Sequence, residues 1–332
     1  MSIRPIEVVL DARLAARGLG IGRFVGNLMT GFREGSFQPD LFGVQDRRSE
    51  SSKELLQSFG VRSAAFSVSP RLCGFGDATV VHYASNSASL STPKRSVVTV
   101  YDLFQREAAS FVGKVQWQLL RQGLAESRIL APISAISSSA LTDYGIHPKR
   151  IRLITPGMRS PEERGHERVG LLAFGGMSER KRPELLVSVI ESLASSGWDE
   201  PVTVVARAGL SDAHRSRLLK VGVDIRSDCT DVELTELYFR SSVLLVTSSH
   251  EGFGLPLVEA AEHQLPTVLG ADASVAPEAI GPHCTKPASN DPRDWVAAIR
   301  QAASVQQPLT GAYLPSWKEV ADAYAEIYRE LG

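Results

Sequence analysis

Glu251 and Glu259 stand eight positions apart in the stretch SHEGFGLPLVEAAEHQLPTVLG, residues 249–270, on either side of Gly-Phe-Gly-Leu-Pro. Carboxylates accept hydrogen bonds from paired hydroxyls, so Glu259 can take the two hydroxyls of a ribose and Glu251 those of a second sugar. Between them, Gly252 and Gly254 let the backbone approach a ligand closely. The N–H groups of Phe253, Gly254 and Leu255 fall at a helix start, which favours an anion. A molecule built as ribose, diphosphate and sugar has this layout. An arbitrary glutamate pair is better explained as charge at a helix start beside a solvated loop; the Gly-Phe-Gly-Leu-Pro between these two reverses that preference.

A second cluster carries the opposite charge. In FGGMSERKRPELL, residues 174–186, Gly175 and Gly176 precede Arg180, Lys181 and Arg182, and Pro183 opens a helix. Fixed cations beside a helix start suit a diphosphate whose charge grows as its bond to a sugar breaks. Arg180 and Lys181 are assigned to that task and Arg182 is left on the surface; a solvated charge run is the plain alternative. Nearer the amino terminus, VVLDARLAARGLGIGRFVGNL places Gly18, Gly20 and Gly22 between a strand and a helix. The spacing is not Gly-x-Gly-x-x-Gly, because Arg23 occupies the third position, so a loop closing over phosphates or acceptor is expected instead of a dinucleotide site. TVYDL puts Tyr101 and Asp102 at the carboxyl end of a strand, as an acceptor-side or sugar contact or as a buried, hydrogen-bonded pair.

These residues need elements to hold them. Short runs that are apolar throughout alternate with helical patterns: IEVVL then 21–32, TVVHYA, SVVTVYDL then 111–128, and RILAPIS then 137–144. Strands without polar alternation are buried on both faces, as in a parallel sheet covered by helices. The polar stretch 154–170 interrupts the alternation, which resumes with GLLAFGG and helix 183–195, PVTVVAR and helix 212–221, VDIRS and helix 231–240, and SVLLVTS, helix 256–263 and PTVLG. Thr230 and Glu233 have capping-box spacing. From Trp317 onward one helical stripe holds Val320, Ala321, Tyr324, Ile327, Tyr328 and Leu331. Two doubly wound α/β lobes with parallel sheets follow, with ligands expected at the carboxyl ends of the strands. Residues 45–75 give no readable motif.

The 332 residues, 43% hydrophobic and 22% charged with a formal net charge of -1, describe a globular protein without the basic surplus of a nucleic-acid partner. Cys73, Cys229 and Cys284 are scattered and odd in number, which fits a reduced, cytoplasmic setting and no zinc site. With neither a signal peptide nor a membrane span in view, any membrane role is expected to be peripheral. Residues 110–128, with Lys114, Arg121 and Arg128 beside Phe111 and Trp117, read as the solvated face of a packed helix, with contact to an anionic membrane as the alternative.

The sequence resembles the GT-B glycosyltransferases of family 4, the retaining group that includes bacterial mannosyl- and other hexosyltransferases of polysaccharide and lipopolysaccharide assembly. The matching blocks are GLGIGRF (18–24), VVTVYDL (97–103), ISAISSSA (133–140), ITPG (154–157), GGMSERKRPELL (175–186), LTELY (234–238) and SSHEGFGLPLVEA (248–260), in family order over nearly the whole chain. The resemblance implies two Rossmann-like domains with an interdomain cleft: 1–156 on the acceptor side, a linker at 157–168, a donor domain at 169–315, and a helix at 316–332 packing back on the first domain. It implies that Glu259 binds the nucleotide ribose, that Glu251 sits by the donor sugar, and that Arg180 and Lys181 hold the diphosphate. Amides from Gly252 to Leu255 would contact sugar and phosphate, with Gly20 and Gly22 closing over them.

No cofactor and no metal is implied: acceptor attack comes from the face that the diphosphate leaves, without a protein nucleophile. The donor reads as GDP-mannose-like and the acceptor as a glycan or a lipid-linked sugar. The sequence departs from the family at Tyr101, where His is common, at Gln264, where Gly is frequent, and at SVAPEAIG, 274–281. A sugar-nucleotide epimerase on the same fold and a non-catalytic sugar-nucleotide-binding protein are the alternatives.

Overall fold

Continuously apolar runs can lose water only between two helical layers, and the chain builds two such sandwiches. The structure, a computed structural model, describes residues 6–16, 19–35, 37–45, 50–65, 80–86, 94–101, 103, 111–160, 168–206, 209–227, 229–281, 284–305 and 314–332. It divides into one unit of Met1–Arg159 with Leu314–Gly332 and a second of Ser160–Tyr313.

The first unit contains β1 (Glu7–Asp11), α1 (Leu19–Glu34), β2 (Asp40–Gln45), α2 (Glu50–Ser58), β3 (Arg62–Ala65), β4 (Val80–Tyr83), β5 (Ser96–Val100), α3 (Phe111–Glu126), β6 (Ile129–Pro132) and α4 (Ala135–Asp143). The second contains β7 (Leu171–Phe174), α5 (Pro183–Ser195), β8 (Val202–Val205), α6 (Asp212–Lys220), β9 (Asp224–Arg226), α7 (Asp231–Arg240), β10 (Val243–Val246), α8 (Leu255–Glu262), β11 (Thr267–Leu269), β12 (Cys284–Thr285) and α9 (Pro292–Ala303). The last helix, α10 (Trp317–Leu331), belongs to the first unit.

Both sheets are six-stranded, ordered β3-β2-β1-β4-β5-β6 and β12-β11-β10-β7-β8-β9, and every ladder is parallel. Read from its own first strand, each sheet has the same doubly wound order, so the order reverses between β1 and β4 and again between β7 and β10. Strands β4, β5, β6 and β10 are buried at every position. The second core joins Leu171, Ala173, Val243 and Leu245 to Leu186, Ile190, Trp295 and Ile299.

Helix α7 begins with the capping box of Thr230 and Glu233, and α10 with a second one of Ser316 and Glu319. Along α10 the buried residues include Trp317, Val320, Ala321, Tyr324, Ile327, Tyr328 and Leu331, the stripe visible in the sequence. It packs against α1, where a Cβ on Gly31 would collide with the Trp317 carbonyl. A buried chain ties α10 to the sheet: Tyr328 Oη meets His82 Nδ1 at 2.7 Å, His82 Nε2 meets Thr99 Oγ1 at 2.9 Å, and that hydroxyl meets Tyr324 Oη at 2.7 Å.

Candidate active site

The switch point of the second sheet determines where the candidate residues gather. The chain leaves β7 through Gly175 and Gly176 into a single 3-10 turn, Glu179–Lys181, and leaves β10 through Thr247 into 248–254. The two loops are bolted together. The Arg180 carbonyl accepts from the Ser249 amide at 2.8 Å, and the Lys181 carbonyl accepts from Thr247 Oγ1 at 3.0 Å. A third loop, after β11, joins them: Ser274 donates its amide to the Ser249 carbonyl at 2.7 Å and accepts the Glu251 amide at 3.0 Å.

In this frame Lys181 Nζ lies 2.6 Å from Glu251 Oε1 and Arg180 Nη1 lies 3.4 Å from Oε2. The side chains of Lys181 and Glu251 are 17% and 12% exposed and that of Arg180 is 41% exposed, so the first two form the sheltered pair and Arg180 reaches outward. Burial alone would raise the Glu251 carboxyl. The Lys181 charge and hydrogen bond, with Ser248 and Arg180 behind them, outweigh burial and hold it below the ordinary carboxylate range. Glu251 is therefore an anion, able to accept hydrogen bonds and unsuited to donate a proton.

Helix α8 follows directly. Gly254 is its N-cap at φ 99, and a Cβ there would lie 2.8 Å from Val275 Cγ1, so this glycine answers both to a left-handed backbone and to close packing. Leu255 is the first helical residue and Pro256 the second, one position later than the sequence reading placed the proline. The shift leaves the Leu255 N–H without an intrahelical acceptor, while the proline still has no donor to satisfy. Phe253 is buried, whereas Gly252 and Leu255 are partly exposed. Glu259, one turn in, accepts from Tyr238 Oη at 2.7 Å. Gly175 closes against the sheet: its amide donates to the Val205 carbonyl at 2.9 Å, and a Cβ would lie 3.1 Å from Val204 Cγ1.

The first unit corrects one expectation. Gly20 and Gly22 do not form a free loop; they lie in the opening turn of α1, and a Cβ on Gly22 would strike the Ala15 carbonyl. Close helix packing thus accounts for Gly22, whereas Gly18 and Asp102 lie outside the described residues. Tyr101 is fastened at both ends. Its amide donates to Asn86 Oδ1 at 3.0 Å and its hydroxyl to the Ala84 carbonyl at 3.2 Å, and burial with Tyr324 nearby raises the phenol well above its usual range.

Three features escaped sequence reasoning. Arg182 is not a free surface cation: its Nη1 and Nη2 pair with Asp272 Oδ1 and Oδ2 at 2.8 and 2.6 Å, and its backbone is left-handed at φ 48. Such a conformation costs a non-glycine residue about 1–2 kcal/mol. Tyr238 was visible only as part of LTELY, without a role. Gln264, in the slot where Gly is frequent, has φ 52, the backbone reason for that preference; Arg168 caps the end of α8 there by donating to the His263 and Gln264 carbonyls. Among the described residues there is no group of three or more metal-ligating side chains, and no helix is long and apolar enough to cross a membrane.

Residues 158–309, which span most of the second unit, match the family Glycosyl transferases group 1. A GDP-mannose:cellobiosyl-diphosphopolyprenol alpha-mannosyltransferase of Komagataeibacter xylinus is 28% identical over 177 residues, 48% of this chain; the match spans about half the length of that relative, 45%. Among solved structures, a glycosyltransferase of Rickettsia africae superposes with a TM-score of 0.69 at 13% identity, covering 99% of each chain. Anabaena Alr3699/HepE in complex with UDP-glucose gives 0.68 at 13% identity, covering 98% of each. These likenesses show the fold, which is GT-B.

Proposed function

We propose that this protein is a retaining glycosyltransferase that moves a hexose from a nucleotide diphosphate sugar to a glycan or lipid-linked acceptor without a metal ion. The observation that carries the reading is the meeting of Lys181, Arg180 and Glu251 at the carboxyl ends of β7 and β10, inside the stretch that matches Glycosyl transferases group 1. Lys181 and Arg180 bind the diphosphate, where two fixed cations replace the charge compensation that a metal would supply. Glu251, ionised and fixed by Lys181, accepts hydrogen bonds from the donor sugar hydroxyls. The amides of Gly252 to Leu255 face sugar and phosphate, and Glu259 takes the ribose hydroxyls.

In the reaction the bond from the sugar's anomeric carbon to the diphosphate oxygen breaks as a bond to the acceptor oxygen forms on the same face. The acceptor's proton passes to the departing phosphate oxygen, and Lys181 and Arg180 stabilise the charge that grows there. A GDP-mannose-like donor is favoured by the Komagataeibacter xylinus relative, whose name specifies GDP-mannose. An epimerase would need both a proton donor and a proton acceptor at a sugar carbon, and a Glu251 held ionised cannot supply the donor.

The test is incubation with GDP-mannose or UDP-glucose, an acceptor panel and EDTA, with nucleoside diphosphate release followed by chromatography and the product anomer by NMR. Acceptor-dependent release with the donor's anomeric configuration kept is expected. An altered sugar nucleotide formed without acceptor, or loss of activity in EDTA, would overturn it.

A further inference from the structure

We propose that Arg182, through its pair with Asp272, is a positioning residue that sets how tightly the second unit grips a diphosphate. This rests on the reading of Arg180 and Lys181 as the diphosphate cations.

Arg182 is the residue at which the 3-10 turn carrying those cations ends and α5 begins, serving as C-cap of one and N-cap of the other without a side-chain capping bond. Its φ of 48 and ψ of 59 are left-handed, and among the described residues Gln264 is the other non-glycine with positive φ. The position is doubly unfavourable, because Pro183 follows and the residue before a proline is driven towards extended backbone. Left to its local preference, Arg182 would straighten and swing the turn that places Arg180 and Lys181.

What holds it lies 90 positions away. The two guanidinium nitrogens meet the two Asp272 oxygens at 2.8 and 2.6 Å, a fork-on-fork geometry that fixes direction as well as distance. Asp272 is itself oriented by Asn290 Nδ2 at 3.2 Å. It sits two residues before Ser274, whose amide and carbonyl bind Ser249 and Glu251. The loop that anchors Arg182 is therefore the loop that braces the Glu251 backbone, so this contact joins the Ser249–Arg180 and Thr247–Lys181 bonds in setting the spacing between the cations and their carboxylate. The Arg182 pair holds the Asp272 carboxyl far below the ordinary range, so the contact stays charged across neutral pH.

Binding of GDP and UDP is compared with binding of GMP and UMP, by calorimetry on the full chain, for wild type, Arg182→Ala, Asp272→Ala and the double variant. Alanine deletes the pair while keeping the local preference against a left-handed backbone, so Arg182→Ala releases the turn that the pair holds. Each single variant is expected to lose roughly tenfold in diphosphate affinity while monophosphate affinity stays within about twofold, and the double variant to lose no more than either single one. Retained monophosphate binding also shows that the variants are folded. Equal losses for mono- and diphosphates, additive losses, or unchanged diphosphate affinity would overturn the positioning role. A wild type that binds neither diphosphate would overturn the reading of the site itself and this inference with it.

Discussion

Lys181 Nζ and Glu251 Oε1, 70 positions apart in the chain, meet at 2.6 Å because the loops after β7 and β10 are neighbours at the sheet's switch point. One carboxylate thus faces two cations, Lys181 at one oxygen and Arg180 at the other. Replacing Glu251 with Ala is predicted to lower turnover by roughly a hundredfold or more while diphosphate affinity changes by less than about threefold, because the contact counts most when the sugar bond is breaking. Steady-state kinetics beside equilibrium titration of GDP and UDP reads this split, and full transfer by the variant refutes the role.

Tyr238 and Glu259 form a second pair, at 2.7 Å, between α7 and α8. Tyr238→Phe removes the donor and leaves the ring. A loss of about 1 kcal/mol in stability is expected, with weaker binding of the nucleotide that the wild type takes, since the Glu259 carboxylate loses a hydrogen-bond donor. Melting curves with and without nucleotide test this; unchanged affinity would show that the pair is structural only.

His82 makes the first unit sensitive to acid. Burial lowers its pKa from 6.5 to about 3, so in the folded chain the ring stays neutral between Tyr328 and Thr99. Below about pH 6.5 the unfolded chain takes up a proton that the folded chain refuses. Stability is therefore complete above that pH and falls by up to roughly 1.4 kcal/mol per pH unit down towards pH 3. Denaturant melts between pH 7 and 4.5 are expected to show this slope and to lose it in His82→Asn. An equal slope in the variant would place the acid sensitivity elsewhere.

Much of the fold was legible where a local rule governs the segment. Pro183 to Ser195 and Asp231 to Arg240 were bounded correctly because a proline or a capping box marks each start. Strands β2 and β3 were missed because Gly43 interrupts DLFGVQ and RSAA has no β-branched residue; both are strands through their ladders with β1 and with each other. Helix α9 does carry a local signal, Asp291 capping ahead of Pro292 with Trp295, Val296 and Ile299 on one face. At the site, residue types and spacing pointed to Glu251, Arg180 and Lys181, which the fold brings together. The partners of Arg182 and Glu259 come from distant loops and helices that no local pattern announces. Gly22 reads as part of a flexible loop in the sequence because a close helix contact and a flexible loop select the same residue.

Two glycines separate packing from binding. Gly22→Ala is predicted to destabilise the first unit by roughly 1–3 kcal/mol, through collision with the Ala15 carbonyl, with no change in nucleotide affinity. Gly254→Ala meets Val275 in a left-handed backbone, and is predicted to cost a similar amount and to weaken diphosphate binding as well. Paired melts and titrations distinguish them; unchanged binding in Gly254→Ala, or a loss of binding in Gly22→Ala, would contradict this division.

The most direct measurement is thermal shift of the wild type and Glu259→Ala with GDP, UDP, ADP and their sugars in EDTA. A nucleotide at about 100 times its dissociation constant should stabilise the chain by roughly 2.7 kcal/mol, a shift of a few degrees. A shift confined to one base in the wild type and lost in Glu259→Ala is the predicted result. The absence of any shift, or an equal shift in the variant, would contradict the assignment of the two glutamates to a sugar nucleotide.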